Sequence, residues 1–286
     1  MTVKIIIDRQ QVQANRRRAA AAGVDGADFL LNAIAQDAAL RLSTVARQFE
    51  NAVLRLPDSA RGLTVPDFGG HVGQPATEYD TAGGADDEMP FAEPESRDLV
   101  IDLLTLHEIN DLPGVLALMR RSLRPDGLFM ACVPGGDTLH ELRASLLAAE
   151  AELSGAAHAR VLPFIDVQDA GGLLQRAGYA LPVVDRESLT ARYDTMFHLM
   201  RDLRAMGATN TLVSRRKAFT GRELFVRAAQ IYARDHADAD GRIRATFTFI
   251  WMSGWVPHAS QQKPLKPGSA VKRLSEALND RSEDMN

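Results

Sequence analysis

The sequence predicts an α/β protein built on a mostly parallel sheet, and two apolar runs with the helix between them carry that prediction. Leu99-Val100-Ile101-Asp102-Leu103-Leu104 and Leu128-Phe129-Met130-Ala131-Cys132-Val133 are nearly continuous apolar segments of strand length, the pattern of strands buried on both faces. Between them Val115, Leu116, Leu118, Met119 and Leu123 recur at helical spacing. Asp111 stands where it can cap that helix, and Pro113 falls in the first turn, where no amide is needed. Arg120, Arg121 and Arg124 gather at the end that favours cations, and Pro125-Asp126-Gly127 stops the helix. Strand, crossover helix and strand in about 40 residues make a βαβ unit, so the two strands are expected to be parallel. Open parallel sheets bind ligands beyond the carboxyl ends of their strands. The segments leaving those ends are Thr105-Leu106-His107-Glu108-Ile109-Asn110 and Pro134-Gly135-Gly136-Asp137-Thr138.

Other elements follow from the same periodicities. Ile5 to Ala22 reads as a short strand-like lead followed by a basic helix. Asp28 to Phe49 is amphipathic, with Phe29, Leu30, Ala33, Ile34, Leu40, Leu42, Val45 and Phe49 on its apolar side. Ala52-Val53-Leu54-Arg55-Leu56 reads as the first sheet strand, and glycine-rich Pro57 to Asp87 as loops and abbreviated strands. Thr138 to Leu153 is a helix with Thr138 and Glu141 spaced as a capping box. Val167 to Ala177 is a helix closed by Gly178. Tyr179 to Tyr193 alternates like one or two strands; Asp194 to Met206 and Arg222 to Asp235 are helical, and Ile243 to Trp255 is a long β-rich run. Trp251 and Trp255, four apart, share one strand face and read as core. Pro257, Pro264 and Pro267 mark an extended loop in which Ser260-Gln261-Gln262-Lys263 either docks a partner chain or is solvated.

Composition bounds the function. At 286 residues, 45% hydrophobic and 24% charged, the chain fits one large α/β domain or one with a sizeable appendage. A net charge of -4 gives no footprint for nucleic acid or an anionic membrane surface. The single cysteine, Cys132, lies in a predicted buried strand and reads as a small core residue. No run reaches the roughly 18 apolar residues that span a bilayer. Arg16-Arg17-Arg18 suggests a transit segment, but Asp8 and the strip Val3-Ile5-Ile6-Ile7 argue against one, so a cytoplasmic protein is expected. His71, His107, His140, His158, His198, His236 and His258 contain no close pair at ligand spacing, and no metal site is expected.

Several motifs, in order, make the chain recognisable. They are Ile6-Ile7-Asp8-Arg9 with Arg16-Arg17-Arg18-Ala19-Ala20, Met89-Pro90-Phe91, Asp98-Leu99-Val100, Leu106-His107, Asn110-Asp111-Leu112-Pro113, Pro125-Asp126-Gly127 and Gly135-Gly136-Asp137-Thr138-Leu139. Further on stand Pro163-Phe164, Leu173 to Gly178, Met200-Arg201-Asp202-Leu203, Met206-Gly207, Asn210 and Gly254-Trp255. With these the chain resembles the class I S-adenosylmethionine-dependent methyltransferase superfamily, nearest to its complex I assembly arginine-hydroxylase branch. The resemblance implies a Rossmann-like class I methyltransferase sandwich, a mostly parallel sheet with one antiparallel strand, plus a helical insertion. It divides the chain into an N-terminal helical segment (1–50), a Rossmann-like core (51–193), a helical insertion or lid (194–240) and a final strand with tail (241–286).

The resemblance also implies S-adenosylmethionine as cofactor, held by Asp58, Gly62, Asp86, Asp87 and Leu106, and an iron–sulfur subunit of respiratory complex I as partner. Within the turn after the first strand, Pro57 to Gly62, only Gly62 remains of the family's glycines, which predicts a weakened or reshaped pocket. His107, leaving a strand at the carboxyl edge, is either a base or substrate-orienting imidazole or a histidine satisfied by local backbone. Glu108 either raises the basicity of His107 or faces water. Asp137 is a candidate catalytic carboxylate for a cationic group such as a guanidinium, with Gly135 and Gly136 allowing close approach; alternatively the segment is a loop before a cap. Tyr193 and Asn210, with Arg215 and Arg216, fall in the region that forms a substrate lid in this superfamily. Three functions stay open at this point. One is an enzyme modifying a protein arginine by hydroxylation or methylation; another is a methyltransferase for a small molecule or acyl carrier. The last is a non-catalytic assembly chaperone.

Overall fold

The protein is described by a computed structural model covering residues 4–57, 60, 68, 72, 75–80, 93–155 and 158–262. Among the described residues, strands β1 (Ala52–Pro57), β2 (Ala76–Asp80), β3 (Arg97–Leu103), β4 (Leu123–Pro134), β5 (Ala180–Tyr193) and β6 (Ile243–Trp255) form one sheet in the order β2-β1-β3-β4-β6-β5. The first four run parallel, β6 runs antiparallel to β4, and β5 pairs antiparallel with β6, so β6 alone is reversed. This is the Rossmann-like arrangement expected from the sequence. Strand order reverses between β1 and β3, which opens a crevice at their carboxyl ends.

Continuous apolar runs in β1, β3 and β4 exist because helices cover both faces. Val53, Val100 and Phe129 pack to one side with α3 (Leu112–Ser122) and α5 (Val167–Arg176). Leu54, Ile101 and Met130, each one residue on, pack to the other side against α2 (Phe29–Ser43), α4 (His140–Ser154), α6 (Met196–Ala205) and α7 (Arg222–His236). Trp251 joins that second face with the guanidinium of Arg41 4.5 Å above its ring. Cys132 is buried, and burial pushes its thiol well above its usual range.

Local expectations hold where one side chain decides them. Asp111 Oδ1 accepts from Gly114 N–H at 3.0 Å and caps α3, with Pro113 in its first turn. Other expectations fail, and the helix expected from Asp28 to Phe49 already ends at Ser43, capped at Thr44. The Thr138–Glu141 capping box does not form: α4 starts at His140, its cap Leu139 is left-handed (φ 54°), and Glu141 accepts from the amide and hydroxyl of Thr246 on β6. Gln261 docks on its own chain, donating to Asp126 Oδ1 at 2.9 Å and to the Val256 carbonyl at 2.8 Å.

The N-terminal segment is part of the fold. Asp8 caps α1 (Arg9–Ala22), and Ile7 bridges to Leu212 beside the segment that follows α6. Among the described residues no helix is long and apolar enough to cross a membrane. The loop after α4 is pinned by buried Glu150, which accepts from Arg160 Nη2 at 2.8 Å and from the His158 amide at 3.0 Å. Burial pushes the carboxyl up, but hydrogen bonds and charge from Arg160, with the His158 bonds, outweigh it and hold the group at about 2 against a usual 4.5.

A depressed folded-state value means that this stabilisation is complete above pH 4.5 and fades as pH falls toward 2. Replacement by glutamine is expected to cost roughly 3 kcal/mol near neutrality. The wild-type and Glu150→Gln stabilities should draw together as pH falls below 4.5 and converge only near and below about pH 2, as urea denaturation across pH would reveal; a pH-independent difference would refute the assignment.

Candidate functional site

A cavity of about 770 Å³ lies at the carboxyl edge of the sheet. Pro57 at the end of β1, Leu104 after β3 and Pro134 at the end of β4 all line it, so it occupies the crevice where strand order reverses. Its size falls within the range of about 300–1,000 Å³ usual for small-molecule sites. Helical segments complete it: Arg16 and Ala19 of α1, Asp25 and Asp28 of the following turn, Leu203 and Arg204 of α6, and Asn210 beyond.

Two lining residues carry unusual backbone. Leu104 (φ 58°) and Leu139 (φ 54°) both sit in the left-handed region, which bulky residues rarely adopt. Each is held by a neighbouring strand: the Leu104 amide donates to the Cys132 carbonyl at 2.9 Å, and the Leu139 amide to the Thr246 carbonyl at 2.7 Å. Buried Asp102 shapes the turn after β3, accepting from Thr105 Oγ1 at 2.5 Å and from Arg55 Nη1 at 3.2 Å. That turn is a 3-10 segment, Leu106–Glu108, and it carries His107 to the cavity wall with its ring 6.1 Å from that of Phe164.

Glu108 does not face water. It is 6% exposed and accepts from Arg16 Nη2 at 2.7 Å, while Arg16 itself is 4% exposed. Arg9 donates to the Glu108 carbonyl at 3.0 Å. The Asn110 side chain receives the amides of Ile6 and Ile7, both at 2.8 Å. Residues 6 to 16 are thereby fastened to the turn that bears His107. The resemblance motifs Ile6 to Arg9, Arg16 and Asn110 thus meet in one place.

The remaining sequence candidates separate. Asn210 lines the cavity, with its amide spent on the Ala159 carbonyl at 2.8 Å and the Leu212 amide at 3.0 Å. Asp137 lies outside the cavity lining, exposed, with Arg186 as ion-pair partner at 3.0 Å. Gly135 and Gly136 are also outside it; a Cβ on Gly135 would come within 2.9 Å of Ile250 Cγ1, so close packing on β6 requires the glycine. Gly254 serves in the same way, against Tyr179 Cβ at 2.8 Å. The Leu106 side chain is fully buried in the core of the α3 face, and Tyr193 is buried in the other core, both apart from the cavity lining. Burial pushes the Tyr193 phenol up, with Asp202 adding to the effect. Asp58, Gly62, Asp86 and Asp87 lie outside the described residues. Asp25, Asp28 and Arg204 also meet the cavity, a placement with no local sequence signal, because only the packing of α1 and α6 brings them there. Among the described residues no cluster of metal-binding side chains occurs.

Fold and cavity define a class I methyltransferase-like protein, and comparison with known proteins agrees. A methyltransferase-domain family profile matches residues 71–131. The chain is 45% identical over 192 residues to the mitochondrial arginine-hydroxylase NDUFAF5 of Dictyostelium discoideum, covering 67% of this chain and 44% of that one. To the human arginine-hydroxylase NDUFAF5 it is 42% identical over 193 residues, or 67% of this chain and 55% of that one. To a malonyl-[acyl-carrier protein] O-methyltransferase of Laribacter hongkongensis it is 38% identical over 185 residues, or 65% and 59%. The profile match and these relatives together support a class I S-adenosylmethionine-dependent methyltransferase-like family for this chain. It spans about half the length of the curated relatives it matches.

The wall of the cavity tests whether S-adenosylmethionine fits. Leu104, Leu139, Leu142 and Phe247 supply apolar surface, and His107, Asp25 and Asp28 supply polar groups. Volume, position and donor set suit a cofactor with an apolar nucleoside face and a polar amino-acid end.

The buried Arg16–Glu108 pair predicts non-additive mutational energetics. Glu108→Gln or Arg16→Met alone should cost about 3–5 kcal/mol by leaving one buried charge uncompensated. The double variant R16M/E108L should cost much less than the sum, read from urea unfolding; simple additivity would show that the charges are not coupled.

Proposed function

We propose that this protein is an S-adenosylmethionine-binding enzyme of the respiratory complex I assembly type that modifies a protein arginine, by hydroxylation or methylation. The observation that carries the reading is the cavity at the carboxyl ends of β1 and β3, where strand order reverses, in a chain 42–45% identical to several proteins named arginine-hydroxylases. Pro57, Ala60, Leu104 and His107 are the described residues that would hold the cofactor. S-adenosylmethionine, when bound, supplies a methyl group on an electrophilic sulfonium.

The chain's own groups do the rest. His107 orients the substrate or takes a proton from it, from a cavity wall that it shares with Phe164. Asp25 and Asp28 take the part the sequence suggested for Asp137: both line the cavity, and neither has an ion-pair partner among the described residues. A guanidinium entering from solvent finds carboxylates there. The substrate protein in this reading is an iron–sulfur subunit of complex I, and cytoplasmic residence belongs to the same reading. Likeness to the malonyl-carrier methyltransferase favours a second reading, methyl transfer to an acyl carrier or small molecule.

Calorimetric titration with S-adenosylmethionine and its demethylated product should give a saturable isotherm; absence of heat at millimolar ligand would end both enzymatic readings and leave a non-catalytic assembly chaperone. Mass spectrometry of the complex I iron–sulfur subunit from a deletion strain should find an arginine unmodified. A normally modified subunit, with labelled methyl reaching a carrier or metabolite instead, would favour the second reading. His107→Asn should lower modification about 100-fold or more without shifting the unfolding midpoint.

A further inference from the structure

The arginines around the cavity fall into two groups. Arg16, Arg160 and Arg215 are spent on carboxylates: Glu108 at 2.7 Å, Glu150 at 2.8 Å and Asp8 at 2.9 Å. These pairs build the wall. Arg204 and Arg216 also line the cavity but are exposed, and neither has an ion-pair partner among the described residues. Arg216 stands in the segment Val213 to Arg222, which holds four cations (Arg215, Arg216, Lys217 and Arg222) and no carboxylate, in a chain whose net charge is -4.

The same segment displays apolar surface. Phe219 is 90% exposed and Val213 45% exposed. An isolated exposed leucine needs no explanation, but an aromatic side chain standing fully in water beside unspent cations does. Aromatic residues and arginines are also the types that dominate binding energy at protein interfaces. The base of the segment is fixed. Arg215 donates to Asp8, to the Leu212 carbonyl at 2.8 Å and to Gln11 Oε1 at 2.9 Å, and the Val213 amide donates to the Ile6 carbonyl at 2.9 Å. Arg216, Lys217 and Phe219 are therefore presented on an anchored base, which lowers the ordering cost of binding.

From this arrangement we propose that the segment 213–220, with Arg204, is a docking collar at the cavity mouth for an acidic polypeptide segment that also carries an apolar side chain. This deepens the reading of a protein-arginine substrate, because it names what flanks the modified residue: carboxylates for Arg204, Arg216 and Lys217, and an apolar contact for Phe219. Nucleic acid would meet the same cations, but the negative net charge works against it.

The test uses the full chain and a fluorescent synthetic peptide with a central arginine flanked by glutamates and one leucine. Anisotropy titration should give saturable binding that weakens with salt. Arg216→Glu, and separately the pair K217E/F219S, should each weaken binding about tenfold or more, while Arg216→Lys retains most of it. Lys217 and Phe219 are not in the cavity lining, so K217E/F219S should titrate with S-adenosylmethionine as the wild type does. The collar is refuted if the peptide fails to bind, if it binds wild type and variants alike, if a lysine-flanked counterpart binds equally well, or if a single-stranded oligonucleotide binds more tightly. Peptide binding without any cofactor binding would leave the collar standing and remove the enzymatic reading.

Discussion

One buried ion pair decides whether the cavity has a wall. Arg16 and Glu108 meet at 2.7 Å with almost no solvent contact, and they join two segments 92 residues apart in sequence. Desolvating two such groups costs several kcal/mol each, and their attraction offsets this only in good geometry with further hydrogen bonds. Arg9 on the Glu108 carbonyl and Asn110 on the Ile6 and Ile7 amides provide part of that setting. The pair is thus better understood as a registration device than as a source of stability. It fixes α1 against the turn after β3, and α1 in turn is fixed against the end of α6. Gly207, in a left-handed conformation, lies so close to Arg16 that a Cβ there would stand 3.3 Å from the Arg16 Cα.

Behind that wall, the sheet ends in two strained residues. Leu104 and Leu139 occupy backbone that glycine or asparagine adopts more readily, at a cost on the order of 1–3 kcal/mol each. Such conformations persist where the surroundings overdetermine them, and here each is pinned by a hydrogen bond to the adjacent strand. The effect is to turn two large apolar side chains into the cavity, one just after β3 and one at the start of α4. The Glu141–Thr246 contact, which displaces the capping box, serves the same end by holding β6 where the Leu139 amide needs its carbonyl.

Those two features mark the limit of what the sequence discloses. Strands and helices were legible because their signals are local: β6 falls at Ile243–Trp255 as read, and α5 and α7 match to within a residue or so. The site was legible only in part. His107 could be placed at a strand end by counting, but Glu108 beside it looked solvated because its partner lies 92 residues away. Gly135 and Gly136 looked like a ligand cradle because glycine reads identically whether a substrate or Ile250 demands the space. Asp25 and Asp28 gave no sign at all, since a turn between two helices has no periodicity to show which way it faces. Left-handed leucines are invisible for a related reason, because nothing in the residue type advertises the conformation.

The turn after β1 brings these threads together. A glycine turn grips a nucleotide-type ligand by letting backbone amides come close. Here Pro57 has no amide hydrogen to offer, and Ala60 presents a Cβ; both line the cavity. A ligand at this place draws correspondingly less from Pro57 and Ala60 and more from the surfaces that close over it. Those surfaces are α1, the α1–α2 turn and the segment after α6, and the Arg16–Glu108 pair is what keeps α1 in place. Ligand retention and N-terminal docking are therefore linked: whatever loosens the clamp removes a wall that Pro57 and Ala60 are poorly equipped to replace. By reciprocity, a ligand that touches both sheet tips and α1 stabilises the clamp by as much as the clamp strengthens its binding.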